Sequence, residues 1–75
     1  MERYKNLGGN SNIKEYEIGD DSITVKFGDN SAYLYNYKSA GRNNIEKMKE
    51  LAVEGSGLNS FIMKHARKAY AEKLR

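Results

Sequence analysis

Three tyrosines at every second position, Tyr33-Leu34-Tyr35-Asn36-Tyr37, are the residues of this chain best suited to recognition by stacking. A strand turns successive side chains to opposite faces, so the spacing carries Tyr33, Tyr35 and Tyr37 on one side of a sheet. Exposed there, the rings form a platform for unstacked bases at about 1–3 kcal/mol per base. Turned inward, the same rings fill a core and pair across strands, with their hydroxyls reaching water. A second set is cationic: Lys64, Arg67, Lys68 and Arg75, near the end of the sequence. As phosphate contacts they give weak, salt-sensitive binding with Kd about 10⁻⁴–10⁻⁶ M. As a solvated helix face they only suit the negative end of a helix dipole.

Other chemistries find less material. His65 is the single histidine and no cysteine is present. A metal site would therefore rest on one nitrogen and carboxylates. His65 falls on an apolar helical arc, which predicts a partly buried structural residue. Asp20-Asp21 lacks the alternating oxygen ligands of a calcium loop and reads as a turn. Gly55-Ser56-Gly57 has no following Lys-Ser/Thr, so it reads as a connector between helices and not as a phosphate loop. Asn59 caps the second helix if that helix starts at Ser60, or else bonds the bend. Ser-His-Asp chemistry needs a nucleophile, a base and an orienting acid held in a pocket that excludes water. One core-facing histidine in 75 residues predicts no enzyme, and no cofactor or metal is expected.

Size sets the frame for either candidate set. Seventy-five residues make one small domain, which buries about 60–65% of its unfolded surface and holds a few kcal/mol of net stability. The missing cysteines remove disulfides and point to an intracellular protein. The longest apolar run, Phe61-Ile62-Met63, spans no membrane. Met1-Glu2-Arg3-Tyr4-Lys5 lacks the apolar segment of a secretory signal, so the cytoplasm is the expected location. The net charge of +3 is unevenly placed. Residues 1–57 balance near zero, while residues 58–75 set Lys64, Arg67, Lys68, Lys73 and Arg75 against Glu72 alone. That asymmetry points to an anionic partner, nucleic acid before membrane.

The elements that position these residues follow in order. Residues 1–10 end in Leu7-Gly8-Gly9-Asn10 without period and read as a mobile arm; residues 11–75 form the domain. Lys14 to Ile18 reads as a strand whose Ile13 and Tyr16/Ile18 are reconciled by a bulge near Lys14 or Glu15. Gly19-Asp20-Asp21-Ser22 is a turn, and Ile23-Thr24-Val25-Lys26-Phe27 alternates cleanly as a second strand. The next turn, Gly28-Asp29-Asn30-Ser31, decides where the tyrosines face. A two-residue loop opposes Phe27 to Ala32 and turns them away from Ile23, Val25 and Phe27. A three-residue loop with Asn30 left-handed opposes Phe27 to Ser31 and puts them on that apolar face. The buried register is favoured, because Ala32, Leu34 and Asn36 make a poor core face.

Lys38 to Arg42 reads as a loop, with Asn43 or Asn44 capping a helix through Ile45, Met48, Leu51 and Ala52 that ends at Gly55. A second helix is expected from about Leu58 to Leu74. Its apolar arc of roughly 140° holds Leu58, Phe61, Ile62, His65, Ala66 and Ala69. The expected fold is α+β, a three-stranded antiparallel β-meander followed by two α-helices packed on one face.

Four segments together resemble the KTSC domain, a short bacterial module named for its place at the C-terminus of some lysyl-tRNA synthetases. They are Ser11-Asn12-Ile13, Ile23-x-Val25-x-Phe27, Tyr33-Leu34-Tyr35 and Gly55-Ser56-Gly57-Leu58-Asn59-Ser60-Phe61-Ile62. The resemblance covers roughly Ser11 to Tyr70. The Val-Pro usual after the tyrosines is absent, and Leu58 stands where many members carry an aromatic. The synthetase context suggests RNA, tRNA or single-stranded, as the partner. The expectation is a non-enzymatic RNA-binding module using the basic C-terminal helix and the tyrosine-bearing sheet. The alternative is a module that docks a protein partner on the sheet face or edge.

Overall fold

In the computed structural model, which describes residues 1–9 and 11–75, the left-handed backbone of Asn30 (φ 71°) fixes the central hairpin. The amide of Asn30 donates to the Phe27 carbonyl at 2.9 Å, and that of Phe27 to the Ser31 carbonyl at 2.8 Å. Phe27 thus opposes Ser31, the three-residue loop. The hairpin joins β3 (Ser22–Phe27) to β4 (Ala32–Asn36), with Ile23 opposite Tyr35 and Val25 opposite Tyr33. Tyr33 and Tyr35 therefore share the face of Ile23, Val25 and Phe27.

On the other side of β3 lies β2 (Ile13–Ile18), and its register shifts between Ile13 and Glu15. The extra residue, Lys14, returns Ile13, Tyr16 and Ile18 to one face, opposite Phe27, Val25 and Ile23. The apolar pattern of β2 makes sense only with that bulge.

Two short strands extend the expected three-stranded meander to five, in the order β1-β2-β3-β4-β5, all antiparallel. β1 (Glu2–Arg3) pairs with β2 and corrects the expectation of a mobile arm. Tyr4 is buried beside it, its hydroxyl accepting from the Leu58 amide at 3.3 Å, and the Leu7 amide donates to the Gly55 carbonyl at 2.8 Å. The cause is tertiary: Tyr4 fills the gap between the sheet edge and the helix start. Asn10, the last residue of the expected arm, lies outside the described residues.

The helical layer covers one face. Where a loop is expected after the tyrosines, α1 (Tyr37–Ala40) forms a single turn. Asn36 Oδ1 accepts from the Ser39 amide at 2.8 Å and Ser39 Oγ from the Asn36 amide at 3.0 Å, a reciprocal cap. α2 (Arg42–Glu54) begins at Gly41 without a side-chain cap. Asn44, expected as a cap, instead donates its Nδ2 to the Ala40 carbonyl at 2.9 Å. α2 ends at left-handed Gly55, φ 84°, whose amide bonds the Leu51 carbonyl. Ile45, Met48 and Ala52 face the sheet, where they join Ile23, Val25, Tyr35, Leu58 and Ile62 in one core.

The last segment departs furthest from expectation. α3 (Leu58–Phe61) passes into a π-helical turn, Ile62–Ala66, and helix ends there. Residues 72–73 then form β5 (Glu72–Lys73) against β4, with the Ala71 amide on the Leu34 carbonyl at 2.6 Å and that of Leu74 on Ala32 at 2.7 Å. The expected helix to Leu74 is thus only about half formed. A π turn advances about 80° per residue instead of 100°. The narrower step keeps Ala66 in the core and swings His65 out of it. His65 is exposed, its ring lying 4.8 Å from that of Phe61 between centroids, which corrects the expectation of a partly buried histidine.

No helix among the described residues is long and apolar enough to cross a membrane. Nor, among them, does any group of three or more His, Asp or Glu side chains stand together to hold a metal ion.

Candidate nucleic-acid interface

The register that buries the tyrosines treats each ring differently. Tyr35, opposite Ile23 at the centre of the sheet, is 2% exposed and belongs to the core. It also lines a cleft, and burial, reinforced by the nearby phenols of Tyr33 and Tyr70, pushes its hydroxyl up to about 12. Tyr33 lies nearer the hairpin turn and is half-buried. Its ring meets Phe27 edge-on at 5.8 Å and Tyr70 at 4.8 Å. Tyr37 is not on the strand at all but opens α1, about 13 Å along from Tyr33 at strand rise. Its hydroxyl donates to Glu46 Oε2 at 2.7 Å, and Arg42 and Lys49 sit 6.0 and 5.8 Å from its ring centroid. That hydrogen bond raises the Tyr37 phenol and lowers the Glu46 carboxyl, each from its ordinary value. The three-ring platform is therefore corrected: Tyr35 is core, and Tyr33 and Tyr37, both half-buried, stand apart on different elements.

The cations divide as well. Arg67, just past the π turn, lines the cleft that holds Tyr33. Lys64 and Lys68 are exposed on the helical segment and its exit, outside the cleft. Arg75 pairs its backbone with Ala32 beyond β5 and lines a hollow with Glu15 and Lys26. Those two residues face away from the helices, so Arg75 stands on the opposite side of the sheet from Arg67. Lys64, Arg67, Lys68 and Arg75 therefore form no single stripe, because the helix that would have aligned them stops at Ala66.

One cleft gathers what remains. It is open, with a volume of about 230 Å³, and Phe27, Tyr33, Tyr35 and Tyr70 form its aromatic wall. Arg67 and Asp29 stand among its polar lining. Lys73, opposite Tyr33 on β5, holds its ammonium 5.8 Å from the Tyr33 centroid. Asp29 Oδ1 accepts from the Ser31 hydroxyl at 2.6 Å and the Ser31 amide at 3.0 Å. The hydroxyl bond first and the amide bond next hold the Asp29 carboxyl below its usual range, with Lys73 adding to the effect. The carboxylate is ionised at neutral pH and fixed in orientation.

Tyr70, Phe27, Asp29 and Lys73 belong to the site without being marked as such by the sequence pattern. Tyr70 and Lys73 are unreadable because the periodicity places both in a helix that does not form. Asp29 carries a signal, since Asp-x-Ser in a three-residue hairpin loop ties the carboxylate to the backbone two residues on. That same loop register places it at the Tyr33 end of the hairpin.

The sheet edges offer little to a docking strand. β1 and β5 are two residues long and charged, Glu2–Arg3 and Glu72–Lys73, which blunts further pairing. Compared with known proteins, the chain matches no family model, no curated protein and no solved structure. The likeness to the KTSC domain thus rests on the four sequence segments alone.

Proposed function

We propose that this chain is a small, non-enzymatic, cytoplasmic module of KTSC type that binds single-stranded RNA at the Tyr33 cleft. The observation that carries the reading is the meeting of Tyr33 with Arg67 in one open cleft, flanked by Lys73. An aromatic face and phosphate-seeking cations within one nucleotide's reach are what a base and its phosphate need. Lys64 and Lys68, exposed on the same terminal segment, extend the positive field without touching the base. With so few cations at the site the affinity is weak, Kd about 10⁻⁴–10⁻⁶ M, and falls with salt.

Fluorescence titration with single-stranded oligonucleotides and tRNA, at low and moderate salt, tests this. Saturable binding that weakens with salt and is lost in Tyr33→Ala with Arg67→Ala supports it. No binding at about 100 μM protein in low salt removes it.

A second reading, a protein-interaction module, draws on a different place. Met1, Tyr16, Ile18 and Val53 line a shallow hollow of about 500 Å³ on the helix side of β2. Ile18 and Val53 are both exposed there. A protein captured from nuclease-treated extract, and no longer captured by Ile18→Lys, favours that reading over RNA.

A further inference from the structure

We propose that the cleft is selective for guanine, with the Asp29 carboxylate reading the edge of a single base stacked at Tyr33. The inference rests on the RNA-binding reading above and adds to it the identity of the base.

Size is the first argument. At about 230 Å³ the cleft is smaller than the roughly 300–1,000 Å³ that takes a drug-sized ligand. It has room for one flat ring system, with the sugar and phosphate left outside beside Arg67 and Lys73. Chemistry is the second. The wall is aromatic, whereas Asp29 on the rim is an acceptor-only group when ionised. Its Oδ1 is committed to Ser31, which leaves Oδ2 directed by a carboxylate plane that cannot rotate freely. Among the four RNA bases only guanine presents two adjacent donors on its pairing edge, N1–H and N2–H, and the two lone pairs of Oδ2 can accept both. Adenine and cytosine offer one amino group beside an acceptor nitrogen, and uracil flanks its lone N–H with two carbonyls that a carboxylate repels. A fixed carboxylate therefore ranks guanine first and uracil last.

The charge balance agrees. A carboxylate at an RNA site repels phosphate unless cations beside it offset its charge. Here cations from separate elements, Arg67 after the π turn and Lys73 on β5, stand around it and supply the phosphate contacts. The carboxylate is thus free to face a base edge.

Fluorescence anisotropy with four eight-nucleotide RNAs tests the proposal: all-uridine, and the same strand with one central guanosine, adenosine or cytidine. The guanosine strand is expected to bind on the order of tenfold tighter than all-uridine. In Asp29→Asn the amide oxygen still accepts from Ser31, so the turn is kept while one carboxylate oxygen becomes a donor. The spread among the four strands then collapses, while Arg67→Ala weakens all four together. Guanosine monophosphate as competitor separates a free nucleotide from a base within a strand; a free-nucleotide site is displaced by it at the Kd of the strand. Equal binding of all four strands, or a guanosine preference surviving Asp29→Asn, overturns the base assignment and leaves RNA binding standing. Absence of binding to every strand overturns both.

Discussion

Replacing Tyr35 separates its two roles, packing and titration, in opposite directions. The ring is 2% exposed and packs among Ile23, Ile45, Met48 and Leu58. Truncation to alanine empties an aromatic-sized space in a core that cannot collapse around it, at a cost of about 3–5 kcal/mol. A domain of this length holds about 4–11 kcal/mol in all, and each kcal/mol moves its melting point by about 4–8 °C. Tyr35→Ala is therefore expected to melt at least about 12 °C below the parent, or not to fold. Tyr35→Phe keeps the ring and removes only the hydroxyl of a side chain that lines the cleft, so at pH 7 it melts near the parent. Alkali separates Tyr35→Phe from the parent. Burial lifts the folded hydroxyl to about 12, against about 10 in the unfolded chain. The folded state holds that proton more tightly, so its contribution is complete below pH 10 and is lost as pH rises through 12, about 3 kcal/mol in total. Tyr35→Phe lacks this loss and outlasts the parent above pH 10. Thermal denaturation followed by circular dichroism from pH 7 to 12 reads both effects. A Tyr35→Ala protein melting within a few degrees of the parent, or matching alkaline curves for Tyr35→Phe and the parent, refutes the buried register and its titration.

Three further perturbations bear on the terminal segments. Lys64→Ala with Lys68→Ala leaves the melting point unchanged, because both side chains are exposed. The pair lowers the slope of log K against log salt for single-stranded RNA by about 0.7 for each phosphate that is no longer neutralised. Tyr4→Phe leaves the buried Leu58 amide without the hydroxyl that now accepts from it at 3.3 Å. The expected loss is about 1–3 kcal/mol in urea denaturation, and no loss means that the N-terminal segment does not dock. Tyr70→Ala removes the ring packed on Tyr33 and adds a strong helix former. Its helical signal at 222 nm is expected to rise as residues 67–74 leave the sheet edge, and amide exchange at Ala71 and Leu74 to quicken.

What can be read from the sequence is what neighbouring residues decide. The Asn30 turn and the bulge at Lys14 follow from local backbone preference combined with one apolar face. α2 and its end at Gly55 follow from periodicity and a left-handed cap. The contradicted expectations share a different origin. Residues 2–7 have no period of their own and gain structure only because Tyr4 finds the Leu58 amide, 54 positions away. The α1 turn reads as a loop because a single turn leaves no periodicity, although Asn36 and Ser39 carry its reciprocal cap. Tyr37 leaves the ladder for the same reason, since strand alternation ends where that cap begins. Of the candidate site, Tyr33 and Arg67 are legible, each found by a separate argument. Their meeting is not, for it depends on where the chain turns after Ala66.

That turn is a contest between local and tertiary preference. Arg67-Lys68-Ala69-Tyr70-Ala71-Glu72-Lys73-Leu74 is rich in helix formers, yet it forms no helix past Ala66. A helix continued to Leu74 would leave the edge of β4 without its β5 partner. An unpacked segment of eight residues gains little from propensity alone. The alternative satisfies the open edge of β4 with amides from Ala71 and Leu74 and sets Tyr70 edge-on to Tyr33. Such an aromatic pair adds about 0.5–1.5 kcal/mol beyond the area it buries. The sheet edge therefore wins, and the π turn is the register shift that lets the chain leave the helix and still keep Ala66 in the core. The same event builds the cleft, because it brings Arg67, Tyr70 and Lys73 to Tyr33, where a finished helix would have carried them away. A substitution that restores the helix should accordingly abolish the site while leaving the core of Ile23, Val25, Tyr35, Ile45 and Met48 intact.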